Sequence, residues 1–220
     1  MSGLMMFFLA IAVVFMLKVQ NEKEALSSIA ETYRSAREDL YRELLEEFRN
    51  DLDQWGAEID ARELAIRFRE PDVLFDHGSH TLKPEFRRIL SDFFPRYVEI
   101  LRKPPYRKHV REIRIEGHTS SDFGELADLD AYLANMELSQ ARTRATLEFL
   151  LCLPQIKDQS HWLRGRVTAN GLSSSQLILT ASGKEDRLRS RRVEFRVRTD
   201  AEEQIDEILT ATQQSRGTTR

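Results

Sequence analysis

The stretch Val110–Ser121, "VREIRIEGHTSS", decides how the rest of the chain is read. Ile113 and Ile115 alternate with Glu112, Arg114 and Glu116, a period of two that predicts a strand buried on one face only. The small and polar residues from Gly117 onward predict that the strand ends in a turn. A strand with one charged face asks for a sheet covered by helices on its other face.

Working outward, "RRVEFRVR" (Arg191–Arg198) repeats the pattern, with Val193, Phe195 and Val197 set against Glu194, Arg196 and Arg198. "RVTANGL" (Arg166–Leu172) predicts a short strand, and "ELAIRFREPDVLFD" (Glu63–Asp76) supplies short β-rich runs. "AYLANMELSQARTRATLEFLLCL" (Ala131–Leu153) predicts a strong helix. "KPEFRRILSDFFPRYVEILR" (Lys83–Arg102) has helical periodicity, with Pro95 expected to kink or break it. The fold class expected for residues 62–200 is therefore α+β, an α/β sandwich with helices over one face of the sheet.

Two segments precede that domain. From Gly3 to Leu17 the chain is apolar or small without interruption, and a helix of about 15 such residues is roughly 22 Å long. A bilayer core of about 30 Å asks for about 20 residues. With no basic region before it and no cleavage site after it, residues 1–19 are expected to be an N-terminally incomplete transmembrane helix. From Gln20 the composition becomes charged, and Leu26, Ile29, Tyr33, Ala36, Leu40, Leu44, Phe48, Leu52, Trp55 and Ile59 recur every three or four residues. That stripe predicts a helical linker over 20–61. It is either a dimeric coiled-coil stalk or a helix folded back on the C-terminal domain, and the stalk is the favoured reading. Residues 201–220 are expected to be a C-terminal tail with a short helix.

Composition narrows the function. The 220 residues carry a formal charge of −3 with a pI near 6.0, which gives no reason to expect nucleic acid as a direct partner. Cys152 is the sole cysteine, so no internal disulfide can form. The chain has no P-loop, nucleophile elbow or His-Glu-x-x-His, and His77 and His80 make no convincing metal pair. Neither an enzyme nor a cofactor or metal site is expected. Asn135, Leu138 and Arg142, spaced by three and four, share one helix face, expected near the helix N-terminus where an anion is favoured. Arg142 can offer a bidentate fork to a carboxylate, and Asn135 can bond a peptide group.

The order "EGHTSS" (Glu116–Ser121), "NMELSQAR" (Asn135–Arg142) and "SRRVEF" (Ser190–Phe195) resembles the OmpA-like peptidoglycan-binding domain shared by OmpA, Pal and MotB. "VLFDHGSHTLKPEF" adds Phe75, Gly78 and Leu82 in that family's opening spacing. The resemblance implies that Arg142 holds a carboxylate of the diaminopimelate side chain, and that an Asp directly after the GHT threonine holds its amine. Here that position is Ser120, and the nearest carboxylate is Asp122. Either Asp122 takes the role from a longer loop, or binding leans on Arg142 and Asn135. Arg192 matches an arginine lining the family's pocket. The site residues implied are Thr119, Ser120, Asp122, Asn135, Leu138, Arg142 and Arg192. Leu138 is expected to pack as much as to touch ligand, and His118 either to satisfy backbone groups at the strand end or to serve the site.

An anchor, a stalk and such a domain in this order resemble MotB-type stator subunits, and the GHTSS block and "EDRLRSRRVEFRV" resemble the MotB-like subunit of the Zorya antiphage system. The resemblance implies a homodimer in the bacterial inner membrane, single-pass with its C-terminal domain in the periplasm, a MotA-like membrane partner, and an ion-driven motor. It also places the ion-carrying Asp about two residues before Met1, and residues 1–21 contain no Asp or Glu.

Overall fold

Five strands follow from the alternating segments: β1 (Ala57–Asp60), β2 (Ala65–Arg69), β3 (Val110–His118), β4 (Val167–Gly171) and β5 (Arg192–Thr199). They form one sheet in the order β1-β2-β5-β3-β4, antiparallel except for the parallel β3–β4 pair. The long helices are α1 (Ser2–Phe48), α2 (Pro84–Leu101) and α3 (Asp128–Leu151). The computed structural model describes residues 2–69, 74–76 and 78–200, with the side chains of 2–4, 22, 25, 26, 28–30, 32 and 33 left out. The expected tail at 201–220, the stripe positions Leu26, Ile29 and Tyr33, and His77 lie outside the described residues.

The chain divides into two units, one holding residues 2–38 and the other Asp39–Thr199. In the first, the helix exposes its apolar side chains from Met5 to Val19. Among the described residues no helix is long and apolar enough to cross a membrane.

In the second unit, Phe93 of α2 is the centre of an aromatic cluster. Its ring lies 5.0 Å from Phe195 of β5, 5.1 Å from Phe68 of β2 and 5.2 Å from Phe48 of α1. α2 runs through Pro95 without a break. The missing N–H costs about 3 kcal/mol in a free helix, but Phe93, Phe94, Tyr97 and Val98 are all buried around it, and their packing outweighs the loss.

The folded-back reading holds for the end of the linker. Leu40, Leu44 and Phe48 are buried in the core, and Arg96 of α2 bonds the Glu47 carboxylate at 2.7 Å and Asp51 at 2.9 Å. The stripe then stops: α1 ends at Phe48, Trp55 lies in a turn, and Ile59 belongs to β1, which pairs with β2. The domain thus begins near Asp39 rather than at 62. A strand of four residues inside an Ala/Glu-rich segment leaves too short a period to read, and Gly56, at φ 59°, makes the turn that ends helical continuity.

α3 lies against β3 and β4 through two glycines. A Cβ on Gly117 would stand 2.7 Å from the Thr143 side chain and 2.9 Å from the Ser139 carbonyl oxygen, and one on Gly171 would stand 2.3 Å from the Gln140 backbone nitrogen. Gln140 also clasps β4, donating to the Ala169 carbonyl at 3.2 Å and accepting from the Gly171 N–H at 2.7 Å.

A fragment of residues 39–199 is expected to unfold cooperatively. One of residues 62–199 loses β1 and the core side chains of Leu40, Leu44, Phe48 and Trp55, the large ones worth about 2–5 kcal/mol each against a total stability of about 5–15 kcal/mol, and should not fold. Thermal unfolding followed by circular dichroism checks this, and equal melting temperatures would contradict it.

Candidate functional site

The turn after β3 and one face of α3 meet at a cleft of about 600 Å³. Thr119, Ser120 and Asp122 come from the turn and Asn135, Leu138 and Arg142 from α3, with Phe75, Gly78, Arg187 and Arg191 completing the lining. Six of the seven residues expected from the sequence therefore stand together.

Arg142 is the arginine that α3 brings to the cleft. Its Nε donates to the Ser79 carbonyl at 2.8 Å and its Nη2 to the Asp76 carbonyl at 3.4 Å, and the guanidinium stacks 4.9 Å from the Phe75 ring centre. Among the described residues no carboxylate pairs with it. Burial, and then the charge of Arg191, push its pKa down to about 10. A cation held by carbonyls and an aromatic face, and lacking a counter-ion, is a strong acceptor site for an anion.

Asn135 has a different task from the one expected. Its Nδ2 donates to the carbonyls of Ser120 at 3.1 Å and Asp122 at 3.0 Å, so it fixes the turn instead of offering those protons to a ligand. The helix dipole contributes little either. α3 begins at Asp128, which puts Asn135 roughly two turns inside the helix, beyond the free amides of the first turn.

The turn is held from several sides. The Thr119 N–H donates to the Ser173 carbonyl at 2.9 Å, while its Oγ1 is buried with no hydrogen-bond partner among the described residues. Glu185 accepts from the Ser121 N–H at 3.0 Å and from its hydroxyl at 2.6 Å. Asp122 pairs with Arg187 at 2.8 Å, and Ser120 is buried.

Arg192 does not line this cleft. It is buried on the polar face of the sheet, where its Nε donates to Glu194 and its Nη1 to the carbonyls of Gln176 at 3.2 Å and Ser190 at 3.1 Å. Strand alternation sends Arg192 to the face of Glu194, and Arg191, one residue earlier, lines the cleft instead. Arg187, Arg191 and Glu185 were not anticipated. Only the alternation of β5, carried one residue back, pointed to Arg191.

Under the cleft the polar face is itself buried. His118 lies 3.8 Å from Glu116 and 3.9 Å from Glu194, and neither ring nitrogen has a hydrogen-bond partner among the described residues, so it does not satisfy backbone groups. Glu116, His118 and Glu194 can bring ligand atoms within 4.8 Å of one another. Yet Glu194 already accepts from Arg192 and from Arg67 at 2.8 Å, and Glu116 faces Arg114 at 3.8 Å, so their charge is compensated without a cation. Burial pulls the His118 pKa below its ordinary 6.5, against the raising effect of Glu116.

That depression sets a pH dependence. Below about 6.5 the unfolded chain binds a proton that the folded chain resists, so stability falls as pH falls. Between pH 7 and 5 the melting temperature should fall as pH falls, and His118→Gln should flatten the slope. Calorimetry at stepped pH checks it; an unchanged slope in the variant would contradict the assignment.

No protein-family profile matches the chain. It is 47% identical over 210 residues to the Zorya protein ZorB of Escherichia coli strain Crooks, covering 95% of this chain and 88% of that one. A second Zorya protein ZorB, from Escherichia coli O139:H28, is 28% identical over 160 residues, covering 68% of this chain and 59% of that protein. Among solved structures, a MotB-like protein from Desulfovibrio vulgaris aligns at 24% identity and TM-score 0.49, covering 79% of this chain and 94% of that one. The cell wall anchor of the Pseudomonas aeruginosa type VI secretion system aligns at 26% and 0.47, covering 71% and 96%. In this mixed α/β domain the GHTSS turn, the α3 face, Arg187 and Arg191 surround one cleft. At 47% identity over nearly its whole length, the chain belongs to the Zorya protein ZorB family.

Proposed function

We propose that this chain is a MotB-like membrane subunit of an ion-driven motor in Zorya-type antiphage defence, and that it grips peptidoglycan through the cleft between the β3 turn and α3. The observation that carries the wall-binding role is Arg142: half-buried, lining the cleft and without a carboxylate partner among the described residues. The free carboxylates of a peptidoglycan stem have the charge and planarity that a guanidinium takes as a pair of hydrogen bonds. In this reading residues 1–19 anchor the chain in the inner membrane as a single pass and the helix after them serves as a stalk. Two copies pair through both, the domain stands in the periplasm, and a MotA-like subunit supplies the rest of the ion path.

The alternative is a passive wall tether or a flagellar-type stator subunit. Residues 1–21 contain no Asp or Glu, so the motor reading needs its ion-carrying carboxylate upstream of Met1.

Co-sedimentation of the detergent-solubilised full chain with purified sacculi tests the grip. Wild type should pellet with the wall. Arg142→Ala should bind at least about tenfold more weakly while still unfolding cooperatively, since a charge-assisted pair is lost. Equal retention of Arg142→Ala and wild type would refute the site.

A further inference from the structure

The charges lining the cleft are unbalanced. Three guanidiniums, those of Arg142, Arg187 and Arg191, face one carboxylate, that of Asp122. Asp122 is already engaged by Arg187 at 2.8 Å, and the nearby Glu185 is turned to the Ser121 N–H and hydroxyl. Arg142 and Arg191 have no carboxylate partner among the described residues, and their mutual repulsion shows in the lowered pKa of Arg142. The Nε of Arg191 is buried with no hydrogen-bond partner among the described residues, and so is the Thr119 hydroxyl oxygen on the opposite wall. One carboxylate placed between the two arginines that line the cleft would answer both charges.

An ammonium finds no such place. The cleft's one carboxylate, Asp122, is already engaged by Arg187, so an ammonium meets no unpaired negative charge there and must share an exposed pair. The remaining walls, Phe75, Phe123 and Leu138, suit an apolar or amide surface.

We infer that the cleft reads carboxylate and not ammonium: it takes a wall peptide whose side-chain amine is acylated, as in a cross-link, as readily as one whose amine is free, and Arg191 is the second jaw of the carboxylate clamp. This rests on the proposal that the cleft holds a peptidoglycan stem. Ser120, a neutral buried hydroxyl at the base of the turn, adds no charge that would favour the free amine.

The test is calorimetric titration of the detergent-solubilised full chain with three synthetic stem tripeptides ending in diaminopimelate. One carries a free side-chain amine, one the same amine acetylated, and one has its diaminopimelate carboxylates converted to carboxamides. The first two should bind within about twofold of each other, and the third about tenfold or more weakly. Arg191→Ala should weaken the first two by the same factor, about tenfold, with Arg191→Lys recovering part of it. A tenfold loss on acetylation, or an unaffected Arg191→Ala, would overturn the inference while leaving the wall-binding reading intact. Failure of all three peptides, together with loss of sacculus binding, would overturn both.

Discussion

The approach of α3 to the sheet at Gly117 and Gly171 is the constraint on which the rest of this domain depends. With no side chain at either position, the helix backbone comes close enough for Gln140 to bond the edge of β4 and for Ser139 to accept from the Ser173 N–H at 3.1 Å. Those contacts set the height and rotation of α3, and therefore where Asn135, Leu138 and Arg142 stand. Asn135 then reaches the carbonyls of Ser120 and Asp122 and fixes the turn, and Arg142 reaches the carbonyls of Asp76 and Ser79 on the opposite wall. Two of the other stretches of chain that line the cleft are thus referenced to one helix.

Two clusters of arginine sit close together and behave differently. On the polar face of the sheet Arg67 and Arg192 share Glu194, and the burial that raises the pKa of this carboxylate is outweighed by Arg192 and its neighbours, leaving it lowered. That network is complete in itself and serves the fold. In the cleft, Arg142 and Arg191 are half-buried, and among the described residues no acid answers them. The contrast between a closed and an open set of charges is what supports the proposal of binding at the cleft and separates it from the buried Glu116–His118–Glu194 group.

The sheet was legible wherever apolar and charged residues alternate over five or more positions, as in β3 and β5, and α3 was legible from its length. β1 was not, because four residues after a turn carry no period, and its neighbours extend a helical stripe that stops eight residues earlier. The site was legible from the spacing of Asn135, Leu138 and Arg142 and from the turn after β3. The choice between Arg191 and Arg192 was not, since adjacent arginines differ only in the face of the strand to which they point. The distinction between Asn135 as a ligand contact and as a clasp on the turn also required the fold, because both uses call for the same amide on the same helix face.

A crystal structure of the domain soaked with a free stem tripeptide measures the central claim most directly. The account predicts a peptide carboxylate within about 3 Å of the guanidinium nitrogens of both Arg142 and Arg191, with Asp122 still paired to Arg187. A peptide seated with its ammonium on Asp122 and no carboxylate at Arg142, or seated outside the cleft, would contradict it.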